Sequence, residues 1–309
     1  MNYQLYRFCF SNGVHFGSGS LDRAECTFCA DTLFSALCQE AVKIGEGTLN
    51  ALVDHAKNGT FVISDAFPQI GDELFLPKPA LYVERKDGGK EDSSIKKAYK
   101  KMKYIPVSWF DQYLRGDLPL NMTNAAGQLG VYQMKTSAAV RGLEEPSPYR
   151  VRFFRFHRGN GLYIIFGYEG QEEKELMEEL LEYLALDGLG GKRSSGLGRF
   201  ECVPMKMAKE LERRLEKDSG MFMTLSASLP EEGELEEALE GANYMLLKRS
   251  GFVASERYAP EWMRKKDAYL FAAGSCFLKK YQGCVLDVSS RGTHPVYRYA
   301  KPVFLGVDL

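Results

Sequence analysis

Residues 188–200 read Gly-Leu-Gly-Gly-Lys-Arg-Ser-Ser-Gly-Leu-Gly-Arg-Phe and hold five glycines within eleven positions. Glycine permits positive φ angles and lets a backbone approach a ligand closely, so that successive N–H groups can point at one anion. Lys192 and Arg193 add positive charge, and Ser194 and Ser195 add hydroxyl donors. The composition predicts a loop that cradles a phosphate backbone; the alternative is a flexible connector between two elements.

Two familiar phosphate-binding loops do not fit this stretch. A Walker A loop needs Gly-Lys-Ser/Thr after a strand and before a helix, and this order is missing here. A dinucleotide-binding fingerprint opens a helix, whereas this loop leads from a helix predicted at residues 171–186 into a strand predicted at 199–203.

The elements before and after the loop predict an α+β fold. Hydrophobic periodicity and β-branched runs assign six main segments. They are residues 3–10 (strand), 30–43 (helix), 60–64 (strand), 162–168 (strand), 171–186 (helix) and 199–203 (strand). This succession, βαββαβ with insertions, is the ferredoxin-like (RRM-like) pattern, and the glycine-rich loop follows its second helix. We expect Asp31 or Thr32 to cap the first helix.

The chain length of 309 residues favours two domains. We place the first at residues 1–205, with the glycine-rich loop. The second, at 206–309, is expected to be a more irregular ferredoxin-like domain rich in short strands.

A net charge of −1 hides a strong segregation of charge. Residues 78–103 hold nine basic and four acidic side chains, whereas 172–187 and 231–240 are strongly acidic. Such segregation predicts one basic groove on an acidic body, with the acidic helix facing away from that groove. For the basic run the alternative is a solvated face.

Aromatic and basic residues alternate in two places. Residues 149–156 read Tyr-Arg-Val-Arg-Phe-Phe-Arg-Phe, and residues 295–301 repeat the theme. Both can stack bases and pair phosphates, although a half-buried sheet explains the phenylalanines equally well. Asn160-Gly161 predicts a hairpin between 149–156 and 162–168. Residues 114–141 are expected to project and wedge apolar side chains against unstacked bases; the alternative is an ordinary packed insertion.

Signals for catalysis, metals and membranes are weak. Cys26 and Cys29 form a CxxC without a second pair, so we expect structural thiols rather than zinc or redox chemistry. His15 could serve as a general base, but a lone histidine beside aromatics more often packs. No apolar run approaches the length of a membrane helix and residues 1–10 read as a strand, so a cytoplasmic protein without membrane contact is expected.

Several strings carry a resemblance to a known family. The glycine-rich loop and two ferredoxin-like halves resemble the RAMP superfamily of CRISPR RNA-binding proteins. More narrowly, the strings resemble the Csm-four subunits of type III-A CRISPR effector (Csm) complexes. They are Val-His-Phe-Gly at 14–17, Ala-Asp-Thr-Leu-Phe-Ser-Ala-Leu at 30–37, Leu-Lys-Arg-Ser-Gly-Phe-Val at 247–253, Phe-Ala-Ala-Gly-Ser-Cys-Phe at 271–277 and His-Pro-Val-Tyr-Arg-Tyr at 294–299.

The resemblance implies a non-catalytic subunit that caps the repeat-derived 5′ tag of crRNA, without metal or cofactor. It also implies contact with the large Palm-domain subunit and the adjacent backbone RAMP subunit, and with target RNA only indirectly. The alternative is a crRNA-processing endoribonuclease of the same superfamily that uses His15. The expected RNA-binding residues are His15, Gly17, Gly188, Gly190, Gly191, Lys192, Arg193, Ser194, Ser195, Gly196, Gly198, Arg199, Lys248, Arg249, Tyr297 and Arg298.

Overall fold

The computed structural model describes residues 1–84, 97, 99–117, 127–139, 147–255 and 257–308. Within these ranges the helices are α1 (Ala30–Ile44), α2 (Glu46–Asn58), α3 (Phe110–Leu114), α4 (Gln171–Asp187), α5 (Lys209–Glu216) and α6 (Leu235–Leu239), with 3-10 turns at Val107–Trp109, Arg193–Ser195 and Glu232–Glu234. The strands are β1 (Asn2–Phe10), β2 (Phe16–Gly17), β3 (Ala24–Glu25), β4 (Phe61–Ile63), β5 (Phe67–Ile70), β6 (Glu73–Pro77), β7 (Tyr104–Pro106), β8 (Gly130–Ala139), β9 (Ser147–Phe156), β10 (Gly161–Tyr168), β11 (Phe200–Met205), β12 (Phe222–Thr224), β13 (Leu246–Arg249), β14 (Ala268–Phe271), β15 (Cys276–Phe277), β16 (Cys284–Asp287), β17 (Tyr297–Ala300) and β18 (Phe304–Gly306).

The central element is an antiparallel sheet in the order β11-β1-β10-β5-β6-β7, with β4 also paired to β10. Strands β11, β1, β10 and β4 come from the segments in which the βαββαβ succession was predicted, and α1, α2 and α4 connect them. The register runs from Asn2 opposite Tyr168 to Phe8 opposite Leu162. All these elements form close to their predicted positions because each has strong local periodicity.

Strand β10 lies between two hydrophobic cores. Leu162, Ile164 and Phe166 point to the helices α1, α2 and α4. Tyr163 and Ile165 point to the opposite face, where Leu211, Met223, Leu305 and other residues of the second half pack. Because side chains alternate along a strand, an apolar run is what burial on both faces requires. The two predicted domains thus share the second core.

The predicted hairpin between residues 149–156 and 162–168 is wrong. Strand β9 pairs with β8 over ten residues, and β10 pairs with β1, β4 and β5 instead. The amide N–H of Asn160 does close a turn on His157, but its side-chain amide donates to the carbonyl oxygen of Gln128 at 2.8 Å. The apolar strand β10 is favoured in the centre of a sheet, where both of its faces are buried. The arginines of β9 favour a position that is exposed to solvent.

The second half differs from a single ferredoxin-like sheet. Its described strands divide among three small sheets, β15-β12-β18, β13-β14 and β16-β17. The helix α6 spans five residues, too few to cover a sheet of its own. Strands β12 and β18 instead pack on the central sheet through Met223 and Leu305.

Two predicted insertions fall partly outside the described residues. They are positions 85–96 and 98 of the basic run, and positions 118–126 and 140–146 around the projecting segment. The structure describes residues 114–117, 127–129 and 130–139 of that segment. The last of these ranges is β8, every residue of which is half-buried or exposed. It forms one leg of a hairpin with β9.

Candidate nucleic-acid interface

A groove with a cavity volume of about 300 Å³ lies between the glycine-rich loop and the β8–β9 hairpin. We call it the groove. Its polar lining is provided by Asn12, Gln133, Lys135, Ser137, Tyr149, Arg155, Lys192 and Ser195, and its apolar floor by Val151, Phe153 and Leu197. Among these lining residues there are three cations and no carboxylate, so the groove favours an anionic ligand.

The β8–β9 register explains how the hairpin contributes to the groove. Gln133, Lys135 and Ser137 lie opposite Phe153, Val151 and Tyr149. Alternation places these residues on one face of the hairpin. The hydroxyl of Tyr149 lies 3.4 Å from Nζ of Lys192, and this Nζ lies 4.7 Å from the centre of the Tyr149 ring. This contact joins the hairpin to the glycine-rich loop.

The backbone of the glycine-rich loop is largely hydrogen-bonded within the protein. The amide of Leu189 donates to Gly198, that of Gly198 to Gly13 and that of Gly196 to Arg193, each at 2.9 Å. The amides of Gly190, Lys192, Arg193 and Ser194 have no such partner among the described residues. The predicted phosphate cradle therefore has fewer free amides than its glycine content suggests. Most of the glycines instead allow the backbone of the loop to fold.

His15 holds this loop in place. Its side chain is buried, and its Nδ1 donates to the carbonyl oxygen of Arg152 at 2.6 Å. Its own carbonyl oxygen accepts from the amide of Gly191 at 2.9 Å. A Cβ on Gly191 would lie 2.8 Å from the ring of His15, and one on Gly190, at φ +99°, 2.9 Å from its carbonyl oxygen. His15, Gly190 and Gly191 are therefore adjacent. What joins them is close packing and this backbone hydrogen bond.

The other loop residues that were expected to bind RNA lie around His15, Gly190 and Gly191. The glycines at 188, 190, 196 and 198 all have positive φ. Ser194, Ser195, Gly196 and Arg199 are exposed, and Gly17 lies beside His15. Arg193 turns away from the groove: its Nη1 lies 3.4 Å from the carbonyl oxygen of Gly188 and 4.0 Å from a carboxylate oxygen of Asp187. These are the last groups of helix α4, where the helix dipole favours a cation.

Arg249 and Arg298 are arranged differently, around the carboxylate of Asp31. We call these three residues the Asp31 cluster. Arg249 donates to the Asp31 carboxylate through Nε at 3.0 Å and Nη2 at 2.7 Å. Arg298 donates through Nη1 at 2.8 Å and is itself buried. Burial alone would lower the pKa of Arg249, but the Asp31 carboxylate more than reverses this and raises it. Both guanidinium groups are thus engaged inside the protein.

Neither Asp31 nor Thr32 is therefore the helix cap that the sequence predicted. The N-cap of α1 is Cys29, without a side-chain cap bond. The buried carboxylate of Asp65 instead accepts from the amide of Ala30 at 2.8 Å and from that of Ala227 at 3.0 Å. Burial raises the pKa of Asp65 to about 6. Asp31 and Asp65 each connect the start of α1 to the second half.

The remaining expected residues lie apart from the groove lining. Nζ of Lys248 pairs with Asp267 at 2.8 Å. The ring of Tyr297 packs beside the first core, with Nζ of Lys57 at 5.4 Å from its centre. The structure thus brings His15, Lys192 and Ser195 together near the groove, but not Lys248, Arg249, Tyr297 or Arg298.

Lys135 was not predicted as a ligand, and Tyr149 and Arg155 were noted only within the aromatic and basic stretch 149–156, not among the expected RNA-binding residues. Their signal is the alternation of both strands, in which every second residue faces the groove. Strand β8 was placed within a projecting segment but not paired with residues 149–156. Without that pairing the sequence does not show which face of each strand meets the glycine-rich loop.

Among the described residues, no group of three His, Cys, Asp or Glu side chains lies in an arrangement that could hold a metal. Cys26 and Cys29 are free thiols, and burial raises the pKa of both. None of the helices in the described part of the chain is both long and apolar enough to cross a membrane.

Comparison with known proteins assigns the chain to a family. A family model described as the CRISPR Csm4 C-terminal domain matches residues 217–307. The CRISPR system protein Csm4 of Mycobacterium tuberculosis (strain CDC 1551 / Oshkosh) is 40% identical over 309 residues, covering 99% of this chain and 98% of that protein. Csm4 of Streptococcus thermophilus is 38% identical over 317 residues, covering 100% of both.

Solved structures share the fold. A chain of a Csm3–Csm4 subcomplex in the type III-A CRISPR-Cas interference complex has a TM-score of 0.67 at 16% identity, covering 99% of this chain and 100% of that one. A chain of a Csm1–Csm4 cassette in complex with cA4 has a TM-score of 0.64 at 22% identity, covering 100% and 99%. With relatives about 40% identical over their whole length, the chain belongs to the Csm4 family of type III CRISPR Csm complex subunits.

Proposed function

We propose that this chain is the non-catalytic subunit that caps the repeat-derived 5′ tag of crRNA in a type III-A effector complex, acting in the cytoplasm. It links the crRNA to the large Palm-domain subunit and to the adjacent backbone RAMP subunit, and meets target RNA only indirectly. The solved Csm4 relatives, which were crystallised with Csm1 and with Csm3, support these protein partners. The fold is similar to theirs over 99% and 100% of this chain.

The observation that carries this proposal is the charge of the groove. Lys135, Arg155 and Lys192 line it from three elements, and no carboxylate lines it among the described residues. Single-stranded RNA presents a phosphate at each nucleotide and unstacked bases between them. The cations suit the phosphates, and the rings of Tyr149 and Phe153 offer flat surfaces for bases.

The β8–β9 hairpin also exposes apolar side chains, and by alternation Tyr132 and Met134 lie on the face opposite to the groove. Val131, Tyr132 and Met134 are exposed by 43%, 41% and 51%. Large apolar side chains are exposed in this way where a partner covers them. We propose that they contact unstacked crRNA or target bases, with the guanidinium of Arg152 held 4.3 Å from the Tyr132 ring.

The geometry around His15 supports a non-catalytic role. A general base must reach the proton that it removes, and the buried His15 ring is turned towards the carbonyl oxygen of Arg152. We expect purified protein to leave repeat RNA intact. Cleavage that disappears in His15→Ala would establish the endoribonuclease alternative.

The groove can be tested through the salt dependence of RNA binding. In the variant Lys135→Gln, Arg155→Gln, Lys192→Gln, the slope of log affinity against log salt should fall by about 2, since each phosphate contact on a single strand contributes about 0.7. Filter binding of repeat-derived single-stranded RNA over a salt series measures this slope.

A matched control removes three exposed lysines elsewhere, Lys206→Gln, Lys209→Gln and Lys280→Gln. It carries the same change of net charge without touching the groove lining. Equal slopes in the two variants would show that the groove does not hold RNA.

A further inference from the structure

The second half carries a two-stranded arm, which we define as residues 246–255 and 257–271. Strands β13 and β14 pair from Leu246 opposite Phe271 to Arg249 opposite Ala268. The pairing resumes at a bridge between Phe252 and Arg264, where the amide of Lys265 donates to Gly251 at 2.9 Å. Backbone hydrogen bonds thus connect the two strands of the arm as far as its tip.

The two faces of the arm have different surroundings. On the inner face, Leu247 and Leu270 pack in a small core, and Arg249 binds Asp31. On the outer face, Leu246 and Tyr269 are exposed by 61% and 57%. The inner contacts fix the arm on the body of the protein, so the outer face is presented from a supported element.

The tip of the arm exposes two large aromatic side chains beside each other. Trp262 is exposed by 85% and Phe252 by 53%. Their ring centres lie 6.0 Å apart at an interplanar angle of 71°. Neither ring is covered by its neighbour in a stacked arrangement, so both retain a flat face to which another ring can stack.

Exposed cations lie among these rings. The guanidinium of Arg264 lies 6.0 Å from the centre of the Phe252 ring. Arg264 and Lys266 are exposed and have no ion pair in the part of the chain that the structure describes. Asp267 is paired with Lys248. Over residues 250–266, which exclude this pair and Arg249, the sequence holds four basic and two acidic residues, so the tip is positively charged.

We propose that the tip of the arm is a second binding site for single-stranded RNA, in which bases stack on Trp262 and Phe252 and Arg264 binds a phosphate. Flat aromatic surfaces interleaved with unpaired cations fit single strands of any sequence. Tryptophan and arginine are also enriched at protein interfaces, so binding of a protein partner is the alternative outcome that the tests below distinguish. The site is separate from the groove, whose lining includes no residue of the arm.

The fluorescence of Trp262 gives a direct test. The chain has two tryptophans, and the other, Trp109, packs against the second core. In the Trp109→Phe protein only Trp262 emits. Titration with a single-stranded RNA oligonucleotide should quench this emission, and a duplex RNA of equal length should quench it much less. Unchanged emission at single-strand concentrations that saturate filter binding would overturn the proposal.

Affinity measurements add an independent test with a matched control. Trp262→Ala should weaken single-strand binding by about tenfold, from the loss of one stacked base, and Trp262→Phe should retain most of the affinity. Tyr183→Ala removes another exposed aromatic, on helix α4, and should change nothing. If Trp262→Ala instead behaves like Tyr183→Ala with RNA but loses capture of purified Csm1 or Csm3, the tip is a protein interface and the proposal is wrong.

The groove variant separates this site from the proposed function. Trp262 emission should still be quenched by RNA when Lys135, Arg155 and Lys192 are replaced, although at higher RNA concentration. Quenching that vanishes together with the groove contacts would show that the tip has no RNA site of its own. Groove-dependent binding without any quenching would leave the proposed function intact and overturn only this inference.

Discussion

The groove and the Asp31 cluster both gather basic side chains, but they leave them in opposite states. Lys135, Arg155 and Lys192 line the groove, and no carboxylate is found among its described lining residues. Arg249 and Arg298 share the one carboxylate of Asp31. A cation at a surface without a counter-charge can bind a phosphate, whereas one already paired inside a protein stabilises the fold. The same residue type therefore serves two purposes in this chain.

The largest effect that separates the two regions should come from removing Asp31. In Asp31→Ala the buried Arg298 loses its only ion-pair partner among the described residues. Leaving such a charge uncompensated should lower the free energy of unfolding by about 3–5 kcal/mol. Urea denaturation followed by circular dichroism measures this loss.

Asp22→Ala is the matched control, since Asp22 is an exposed carboxylate that accepts from Ser20. We expect a change within about 0.5 kcal/mol. A loss in Asp31→Ala no larger than in this control would mean that the Asp31 cluster is not a structural link and that its arginines are available for RNA.

Asp65, the second carboxylate at the start of α1, should make stability depend on pH. Burial raises the pKa of Asp65 from 3.8 to about 6, so between these values the folded state binds more protons than the unfolded state. Its contribution is fully present below pH 3.8 and is lost as pH rises towards 6, at up to about 1.4 kcal/mol per pH unit.

Asp65→Asn keeps the oxygen that accepts from Ala30 and Ala227 but cannot ionise. The difference between wild-type and variant unfolding free energies, measured from pH 4 to pH 7, isolates this one group. A difference that does not change over that range would show that the pKa of Asp65 is ordinary.

The smallest effect distinguishes two neighbours in the glycine-rich loop. Lys192→Ala should reduce the salt slope of RNA binding by about 0.7, since Lys192 faces the groove. Arg193→Ala should leave that slope unchanged and lower the unfolding free energy by about 0.3–1 kcal/mol, because Arg193 lies at the C-terminal end of α4. Equal slopes in both variants would contradict this division of roles.

Most of the central sheet could be predicted from the sequence. The alternation of β1, the apolar run of β10 and the periodicity of α1 and α4 are local signals, and the structure has these elements near the predicted residues. The pairing of β9 with β8 could not be predicted from the sequence, because a turn signal at Asn160 fits a hairpin and a change of sheet equally well. Only the burial of β10 on both faces decides between them.

The sequence by itself determined the family, the main helices and strands, and the glycine-rich loop as the place to look for RNA contacts. The tertiary structure decided which cations remain free. Asp31 lies 218 positions before Arg249 and 267 before Arg298, so no local pattern reports their pairing. Charge neutralisation depends on distances of a few ångströms, and folding alone brings such distant residues that close.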